Sequence, residues 1–235
     1  MNEFQLKIGI ENPDWLMSSR EKLVLIGLLE CIKPSSVIEF EYHRGGATKW
    51  LAKFAQRIIS VDVNEFVNDA DKKFPNVEAW NCPTNEAIKR IKDKNLKFDL
   101  AVIDADHSRK AVAMDISGLL NHTNIILMHD SFNPACRKGM LDALKDQKTH
   151  AYYLDFVPSV SKKDGLWGGL AVAWKSETPK RYQEFKKEFS SYPPLCLQNY
   201  FQLSAHILSI KQKFHSTKSI LINNLRIYFG KLLGR

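Results

Sequence analysis

The chain has 235 residues, 44% of them hydrophobic and 26% charged, and a formal net charge of +8. This composition is typical of a globular protein and excludes disordered, collagen-like and low-complexity classes. Four scattered cysteines without a CxxC pair indicate neither a zinc knuckle nor a disulfide framework, and no membrane-spanning run or signal peptide is visible, so we expect a cytoplasmic protein.

Helix and strand patterns alternate along the chain. A first helix is predicted over Ser18–Ile32, ended by Lys33-Pro34. Seven short apolar runs are predicted as strands: Ser36–Glu41, Arg57–Asp62, Val77–Trp80, Phe98–Asp104, Asn124–His129, Ala151–Phe156 and Gly169–Trp174. Helical periodicity lies between the earlier strands, at Thr48–Gln56, Thr84–Lys92, Ser108–Leu120 and Pro134–Leu144.

This alternation predicts the fold class. Strands that alternate with helices form a parallel sheet covered on both faces. The connection between the last two strands is glycine-rich and too short for a crossover helix, so these strands are predicted to pair as an antiparallel hairpin. We therefore expect an α/β protein with a Rossmann-like, seven-stranded, doubly wound sheet. The sheet is mostly parallel with an antiparallel edge hairpin, and a C-terminal helical tail follows it.

Acidic and polar residues follow the strands at their carboxyl ends, where ligands bind in open doubly wound sheets. They are Glu39, Glu41, Asp62, Asn81, Asp104, Asp106, His107, His129, Asp130 and Ser131. Carboxylates at such positions lose hydration unless they are paired or bound to something positive. A sulfonium group and a metal ion are both candidates for the positive partner.

The segment Glu39–Thr48, with the sequence EFEYHRGGAT, resembles the glycine-rich cofactor loop of class I S-adenosylmethionine-dependent methyltransferases. Asp62 lies 23 residues after Glu39, the usual spacing for a carboxylate that accepts hydrogen bonds from ribose hydroxyls. The predicted order of elements is also that of this family. The resemblance implies S-adenosylmethionine as cofactor, bound by Glu39, Glu41, Tyr42, Gly45, Gly46, Asp62 and Asp104.

Glu41 departs from the family pattern, because it stands where the family has the first loop glycine. Its side chain would crowd the methionine part of the cofactor or meet its ammonium group. Alternatively, the loop is only a turn into the next helix, in which Gly45-Gly46 serve the backbone geometry alone.

Two further motifs, DADHS at Asp104–Ser108 and HDS at His129–Ser131, are similar to small-molecule O-methyltransferases of the cephalosporin-hydroxylase-like and rhamnosyl O-methyltransferase group. The resemblance implies a divalent metal (Mg, Mn or Fe) held by Asp104, His129 and Asp130. His129 replaces an acid of that group, and an imidazole ligand favours Mn²⁺ or Fe²⁺ over Mg²⁺. Without a metal, we expect His129 to hydrogen-bond the Ser131 loop and Asp104 to orient the cofactor.

Methyl transfer to oxygen requires the acceptor hydroxyl to lose its proton. We predict His107 as the general base, with Asp104 and Asp130 completing the catalytic set. The alternative role of His107 is to cap the following helix beside Ser108, and His43 is the second candidate base. Two segments could cover the acceptor, namely Trp167 and Asn12–Trp15.

These residues support three hypotheses about function. The first is an S-adenosylmethionine-dependent O-methyltransferase for a hydroxyl of a small molecule or a sugar or glycan, assisted by a metal in one version. The second, suggested by Glu41, is a non-catalytic or binding protein on a methyltransferase fold. The third is a nucleic-acid methyltransferase, suggested by the basic charge. It is disfavoured because no Asn-Pro-Pro-aromatic sequence ends the fourth strand.

The basic charge is concentrated at the C-terminal end, where ten basic residues and three acids follow residue 175. We therefore predict three parts: an N-terminal helical lead-in (1–35), a methyltransferase domain (36–176) and a basic helical extension (177–235). At helical spacing, Ser216–Arg235 places its apolar side chains on one face, flanked by basic residues. Such a helix fits peripheral contact with an anionic membrane, a homodimer partner, or packing on its own domain.

Overall fold

The structure is a computed structural model that describes residues 14–157 and 168–175. Trp167, Asn12, Pro13 and the predicted extension 177–235 lie outside the described residues. The helices are α1 (Ser19–Ile32), α2 (Thr48–Phe54), α3 (Ala70–Lys73), α4 (Thr84–Asp93), α5 (Arg109–Leu119) and α6 (Pro134–Leu144), with a 3-10 helix at Glu65–Asp69. The strands are β1 (Ser36–Phe40), β2 (Arg57–Asp62), β3 (Val77–Asn81), β4 (Phe98–Ile103), β5 (Thr123–His129), β6 (His150–Val157) and β7 (Leu170–Lys175).

The seven strands form one sheet in the order β3-β2-β1-β4-β5-β7-β6. The first five strands in the chain are parallel, and β7 lies antiparallel between β5 and β6. This arrangement confirms the predicted Rossmann-like sheet with its antiparallel hairpin at one edge. The central strands are buried on both faces, as their continuous apolar sequences require.

The connections that follow β1 and β4 lead towards opposite edges of the sheet. From β1 the chain continues to β2 and β3, whereas from β4 it continues to β5. The loops that follow β1 and β4 therefore diverge and leave a crevice between them at the carboxyl edge of the sheet.

Capping residues fix where helix α1 begins and ends. The Ser18 hydroxyl accepts a hydrogen bond from the Glu21 backbone N–H at 3.3 Å, and the Ser18 N–H donates to the Glu21 carboxylate at 2.6 Å. The helix ends at Ile32, and the capping residue Lys33 is left-handed with a φ of 42° and directly precedes Pro34. Helix α1 is thus predicted to within one residue of its observed bounds.

Two local features differ from the predictions. Helix α2 ends at Phe54, before the predicted Gln56, because Ala55 is already extended. The helical turns between β2 and β3 were not predicted, since Val67 and Ala70 are the only members of these turns that are buried. So short an apolar pattern has no visible helical period.

None of the described helices combines enough length with enough apolar character to cross a bilayer.

Candidate functional site

Two neighbouring cavities open at the carboxyl edge of the sheet. The larger, of about 610 Å³, is lined by residues that follow β2, β3 and β4, including Asp62, Cys82 and His107. The smaller, of about 50 Å³, lies between the loop after β1 and the segment 14–17 that precedes α1. Glu41 lines both cavities and therefore stands at their boundary.

Glu39, Glu41 and Asp62, which lie in or directly after β1 and β2, are called here the β1–β2 rim. Glu39 is buried, and its Oε2 accepts hydrogen bonds from the Thr48 hydroxyl at 2.7 Å and the Ser60 hydroxyl at 2.5 Å. Its Oε1 has no partner within the described residues. Burial raises the pKa of Glu39 to about 7.

Asp62 is held by backbone amides. Its Oδ2 accepts the His43 N–H and its Oδ1 accepts the Asn64 N–H, both at 2.8 Å. Oδ1 also accepts the Asn64 side-chain amide at 3.0 Å, whereas Oδ2 accepts only the His43 N–H, so Oδ2 keeps a lone pair for a ligand in the larger cavity that Asp62 lines. The predicted ribose-binding residue is therefore oriented before any ligand arrives.

Both loop glycines make close approaches to neighbouring protein groups. Gly45 has a φ of +77°, and a Cβ there would lie 2.7 Å from the Tyr42 hydroxyl. A Cβ on Gly46 would lie 2.6 Å from the Cα of Trp15. The loop thus needs glycine at both positions for its own packing, and Gly46 allows segment 14–17 to lie against the smaller cavity.

Glu41 adopts a left-handed backbone conformation with a φ of 84°. Its backbone N–H donates to the Val61 carbonyl at 2.9 Å, which keeps the loop attached to β2. Within residues 14–157 and 168–175, its carboxylate has neither a hydrogen bond nor an ion pair. Burial and the negative charges of Asp104 and Asp62 raise the pKa of Glu41 to about 7.

Asp104, His107, His129 and Asp130 follow or end β4 and β5 and are called here the β4–β5 rim. Asp104 Oδ1 lies 2.8 Å from His129 Nδ1 and 3.5 Å from His107 Nε2. His107 Nε2 also lies 3.2 Å from Asp130 Oδ2, and Asp130 Oδ1 accepts the Gly168 N–H at 2.6 Å. Carboxylates and imidazoles therefore alternate along this rim.

These contacts shift the pKa values of both imidazoles. The hydrogen bond to Asp104 and the charge of Asp130 raise the pKa of His107, although its partial burial acts in the other direction. Burial by itself would lower the pKa of His129, but the carboxylates of Asp104 and Glu21 hold it well above the usual value. Desolvation by itself would raise the pKa of Asp104, but its contacts with His129 and His107 lower it.

Glu21 is a buried site residue that the sequence analysis missed. Its carboxylate accepts the backbone N–H groups of Ser18 and Gly169 and lies 3.6 Å from His129 Nε2. Burial would raise the pKa of Glu21, but these partners lower it to about 2. The available signal was a carboxylate on the apolar face of α1, four residues before the buried Leu25.

The predicted metal ligands are only partly brought together. The ligand atoms of Asp104, His107 and Asp130 all lie within 4.8 Å of one another, whereas both ring nitrogens of His129 face carboxylates, those of Asp104 and Glu21. The hydrogen bond expected from His129 to the Ser131 loop is wrong, since its Nδ1 partner is Asp104. Among the described residues, Ser131 Oγ has no hydrogen-bond partner.

His107 is not a helix cap. Ser108 alone caps α5, accepting the Ala111 N–H at 3.3 Å, and the His107 ring points to the two aspartates, with 48% of its side chain exposed. The second candidate base, His43, lines the smaller cavity with a left-handed backbone. His107 is therefore the imidazole that lies beside the larger cavity and within reach of solvent.

No protein-family model matches the sequence, and the comparison with curated proteins finds no match. Solved structures are similar in fold. An O-methyltransferase from Bacillus cereus, in complex with S-adenosylhomocysteine, has a TM-score of 0.57 and 13% identity, with 75% of this chain and 92% of that chain covered.

Two other solved structures carry different activities on a similar fold. The O-methyltransferase TomG from Streptomyces achromogenes, in complex with S-adenosylmethionine, has a TM-score of 0.55 and 12% identity over 74% of this chain and 91% of its own. The N-methyltransferase NodS from Bradyrhizobium japonicum, in complex with S-adenosylhomocysteine, has a TM-score of 0.53 and 14% identity over 74% and 98%. The chain therefore has the fold of class I S-adenosylmethionine-dependent methyltransferases.

Proposed function

We propose that the chain is an S-adenosylmethionine-dependent O-methyltransferase that acts on a hydroxyl group of a small molecule or glycan. The observation that carries this proposal is the Asp104–His107–Asp130 group, which lies at the same sheet edge as the preoriented carboxylate of Asp62. One end of the cleft thus offers acceptors for ribose hydroxyls, and the other offers a base for an acceptor hydroxyl.

The cavities suggest how the methyl donor lies. The larger cavity, with Asp62 and the residues after β3, has room for the adenosine part. The methionine part would then extend past Glu41 towards the smaller cavity and Glu39. That cavity is narrow and is bordered by segment 14–17, so we expect this segment to adjust when the donor binds.

His107 has the position of a general base. Its Nε2 faces two carboxylates, which would hold the proton of the neutral imidazole on Nε2 and leave Nδ1 to take the proton of the acceptor hydroxyl. The same carboxylates would stabilise the imidazolium that forms. The acceptor oxygen forms a bond to the methyl carbon as the carbon–sulfur bond breaks. The sulfur keeps that electron pair and becomes a neutral thioether.

The same three residues also fit a divalent metal. Two carboxylates and one imidazole within 4.8 Å of one another suit Mn²⁺ or Fe²⁺ better than Mg²⁺. Such an ion, when bound, would lower the pKa of the acceptor hydroxyl, and His107 would then be a ligand and not a base. His129 would orient Asp104 in either arrangement through their 2.8 Å contact.

The test has a binding step and a turnover step. Calorimetry measures the affinity for S-adenosylmethionine, and formation of S-adenosylhomocysteine is then followed with a panel of phenols, catechols and glycosides, in EDTA and with added Mn²⁺ or Mg²⁺. Turnover that persists in EDTA and is lost in His107→Ala assigns the base role. Turnover that requires Mn²⁺ assigns the metal role. If the donor does not bind under any of these conditions, the proposal is wrong.

A second function, a binding protein on this fold, is favoured by one observation. Glu41 replaces a loop glycine at the boundary of the two cavities, where its side chain narrows the path of the donor. The substitution Glu41→Gly separates the two functions. If only the glycine variant binds S-adenosylmethionine, the native loop is blocked and the chain is not a methyltransferase.

A further inference from the structure

Three features of Glu41 are unusual for a residue that only connects a strand to a helix. Its φ of 84° is a conformation that favours glycine, yet the position holds a large side chain. Its carboxylate lines both cavities. Within the part of the chain that the structure describes, no group donates a hydrogen bond to this carboxylate.

The smaller cavity has an excess of negative charge. Four of its described lining residues are acids, namely Asp14, Glu39, Glu41 and Asp104, and none of the described lining residues is a lysine or arginine. Asp14 pairs with Arg44 at 3.5 Å, and Asp104 pairs with His129. Glu39 and Glu41 remain without a cationic partner among the described residues.

Glu39 adds an independent sign that a ligand completes this site. Its side chain is 1% exposed and lines the smaller cavity, and its Oε1 has no hydrogen-bond partner in the described structure. The buried hydroxyl of Tyr42, which also lines this cavity, is likewise without a partner there. Buried polar atoms seldom stay unsatisfied, so this cavity is built for a polar ligand.

We propose that Glu41 is the counter-ion of the donor sulfonium, and that it makes the site select the cationic donor over the neutral thioether product. This inference rests on the proposed function and adds to it a specificity-determining residue. In a partly desolvated cleft, a carboxylate attracts a nearby sulfonium more strongly than in water. Methyl transfer removes that positive charge, so the attraction ends and the half-buried Glu41 again lacks a counter-charge.

Other charged groups around Glu41 do not replace it. Asp62 and Asp104 are negative and repel its carboxylate, while His107 and His129 are shared with the aspartates of the β4–β5 rim. A cationic ligand at the boundary of the cavities would relieve this repulsion. The thioether product carries no charge at sulfur and would not relieve it. Donor exchange is therefore favoured after each turnover.

Calorimetry with three ligands tests the inference. S-adenosylmethionine and sinefungin are positively charged at or next to the position of the sulfur, and S-adenosylhomocysteine is neutral there. We expect the native protein to bind both cationic ligands at least about tenfold more tightly than the neutral one, a difference of ~1.4 kcal/mol. In Glu41→Gln, which keeps the size of the side chain, this preference should largely disappear through weaker binding of the cations.

Two further variants sharpen the test. Glu41→Gly removes both charge and bulk, and it should abolish the preference as Glu41→Gln does. Glu30→Gln removes one negative charge at an exposed position on α1 that lines neither cavity, and it should keep the native preference.

Three outcomes overturn the inference. If the two Glu41 variants change the affinity for all three ligands equally, Glu41 acts through its shape and not its charge, and the proposed function stands. If binding appears only in Glu41→Gly, Glu41 blocks the donor. If no variant binds any of the ligands, the proposed function fails together with the inference.

Discussion

The two rims of the cleft differ in whether their carboxylates have cationic partners. In the β4–β5 rim, each aspartate has an imidazole nitrogen within 3.5 Å, and His129 is further paired with Glu21. In the β1–β2 rim, Glu39 and Glu41 have no cationic partner among the described residues, and burial raises the pKa of each to about 7. One rim is thus compensated by the protein itself, whereas the donor that we propose would compensate the other.

This difference shows that the number of acids is less informative than their partners. Carboxylates lie at strand ends in both rims, yet the pKa of Asp104, which is paired with imidazoles, is lowered, whereas the pKa values of Glu39 and Glu41, which have no cationic partner among the described residues, are raised. A carboxylate that stays buried without a partner indicates a binding site, because burial without compensation is unfavourable. In the function that we propose, the compensated rim would supply groups held in fixed positions for proton transfer.

The largest expected effect concerns the compensated rim. His107→Ala should lower kcat by about 10²–10⁴-fold, the usual contribution of a general base, and leave the affinity for S-adenosylmethionine nearly unchanged. The measurement is steady-state turnover together with calorimetry. His43→Ala is the matched control, since it removes the other candidate base and should keep kcat near the native value. Equal losses in both variants would contradict the assignment.

The next effect concerns Asp62 in the β1–β2 rim. Asp62→Ala should weaken donor binding about 10- to 100-fold, because a hydrogen bond to a charged acceptor contributes about 1.5–3 kcal/mol. Since Asp62 also accepts the amides of His43 and Asn64, thermal unfolding must be measured in parallel. Asp62→Asn, which keeps one acceptor oxygen, should show an intermediate loss. Unchanged affinity in both variants would place the ribose elsewhere.

A stability effect of about 2–3 kcal/mol is expected for Glu21→Gln at pH 7, because the change leaves His129 with one carboxylate partner fewer. The pKa of Glu21 is lowered to about 2 in the folded protein, so its stabilisation is complete above about pH 4.5 and is lost as the pH falls towards 2. Urea unfolding at pH 7, 5, 3.5 and 2 should therefore show a constant difference at pH 7 and 5, a smaller one at pH 3.5, and near convergence of the two proteins only at pH 2. A difference that stays constant down to pH 2 would exclude the ionised carboxylate as the cause.

The smallest effect has the opposite sign. Glu41→Gly should raise the free energy of unfolding by about 0.5–1 kcal/mol, because glycine removes the strain of the left-handed backbone and part of this gain is offset by chain entropy. Thermal and urea unfolding without ligand measure this difference, with Glu41→Gln as the variant that removes charge and keeps the strain. A destabilised glycine variant would mean that the Glu41 side chain is held by interactions and not left for a ligand.

Much of the fold was predictable from local sequence patterns. The strand bounds agree to within two residues, and helix α6 agrees at both ends, because Asn133 and Pro134 mark its first turn. The position of Asp62 at the end of β2 was also predictable, because the end of a strand and the spacing from Glu39 depend only on the local sequence. The turns between β2 and β3 were missed because they bury too few side chains to show a period.

By itself the sequence determined the alternation of strands and helices, and therefore which polar residues stand at the carboxyl ends of the strands. Only the tertiary structure decided which of these residues meet: His107 joins Asp104 and Asp130, while His129 turns to Asp104 and Glu21. The physical reason is the distance along the sequence over which each kind of interaction acts. Periodicity and capping act within a few residues, whereas the hydrogen bond from Gly169 to Glu21 joins positions 148 residues apart and depends on where α1 lies relative to the residues that lead into β7.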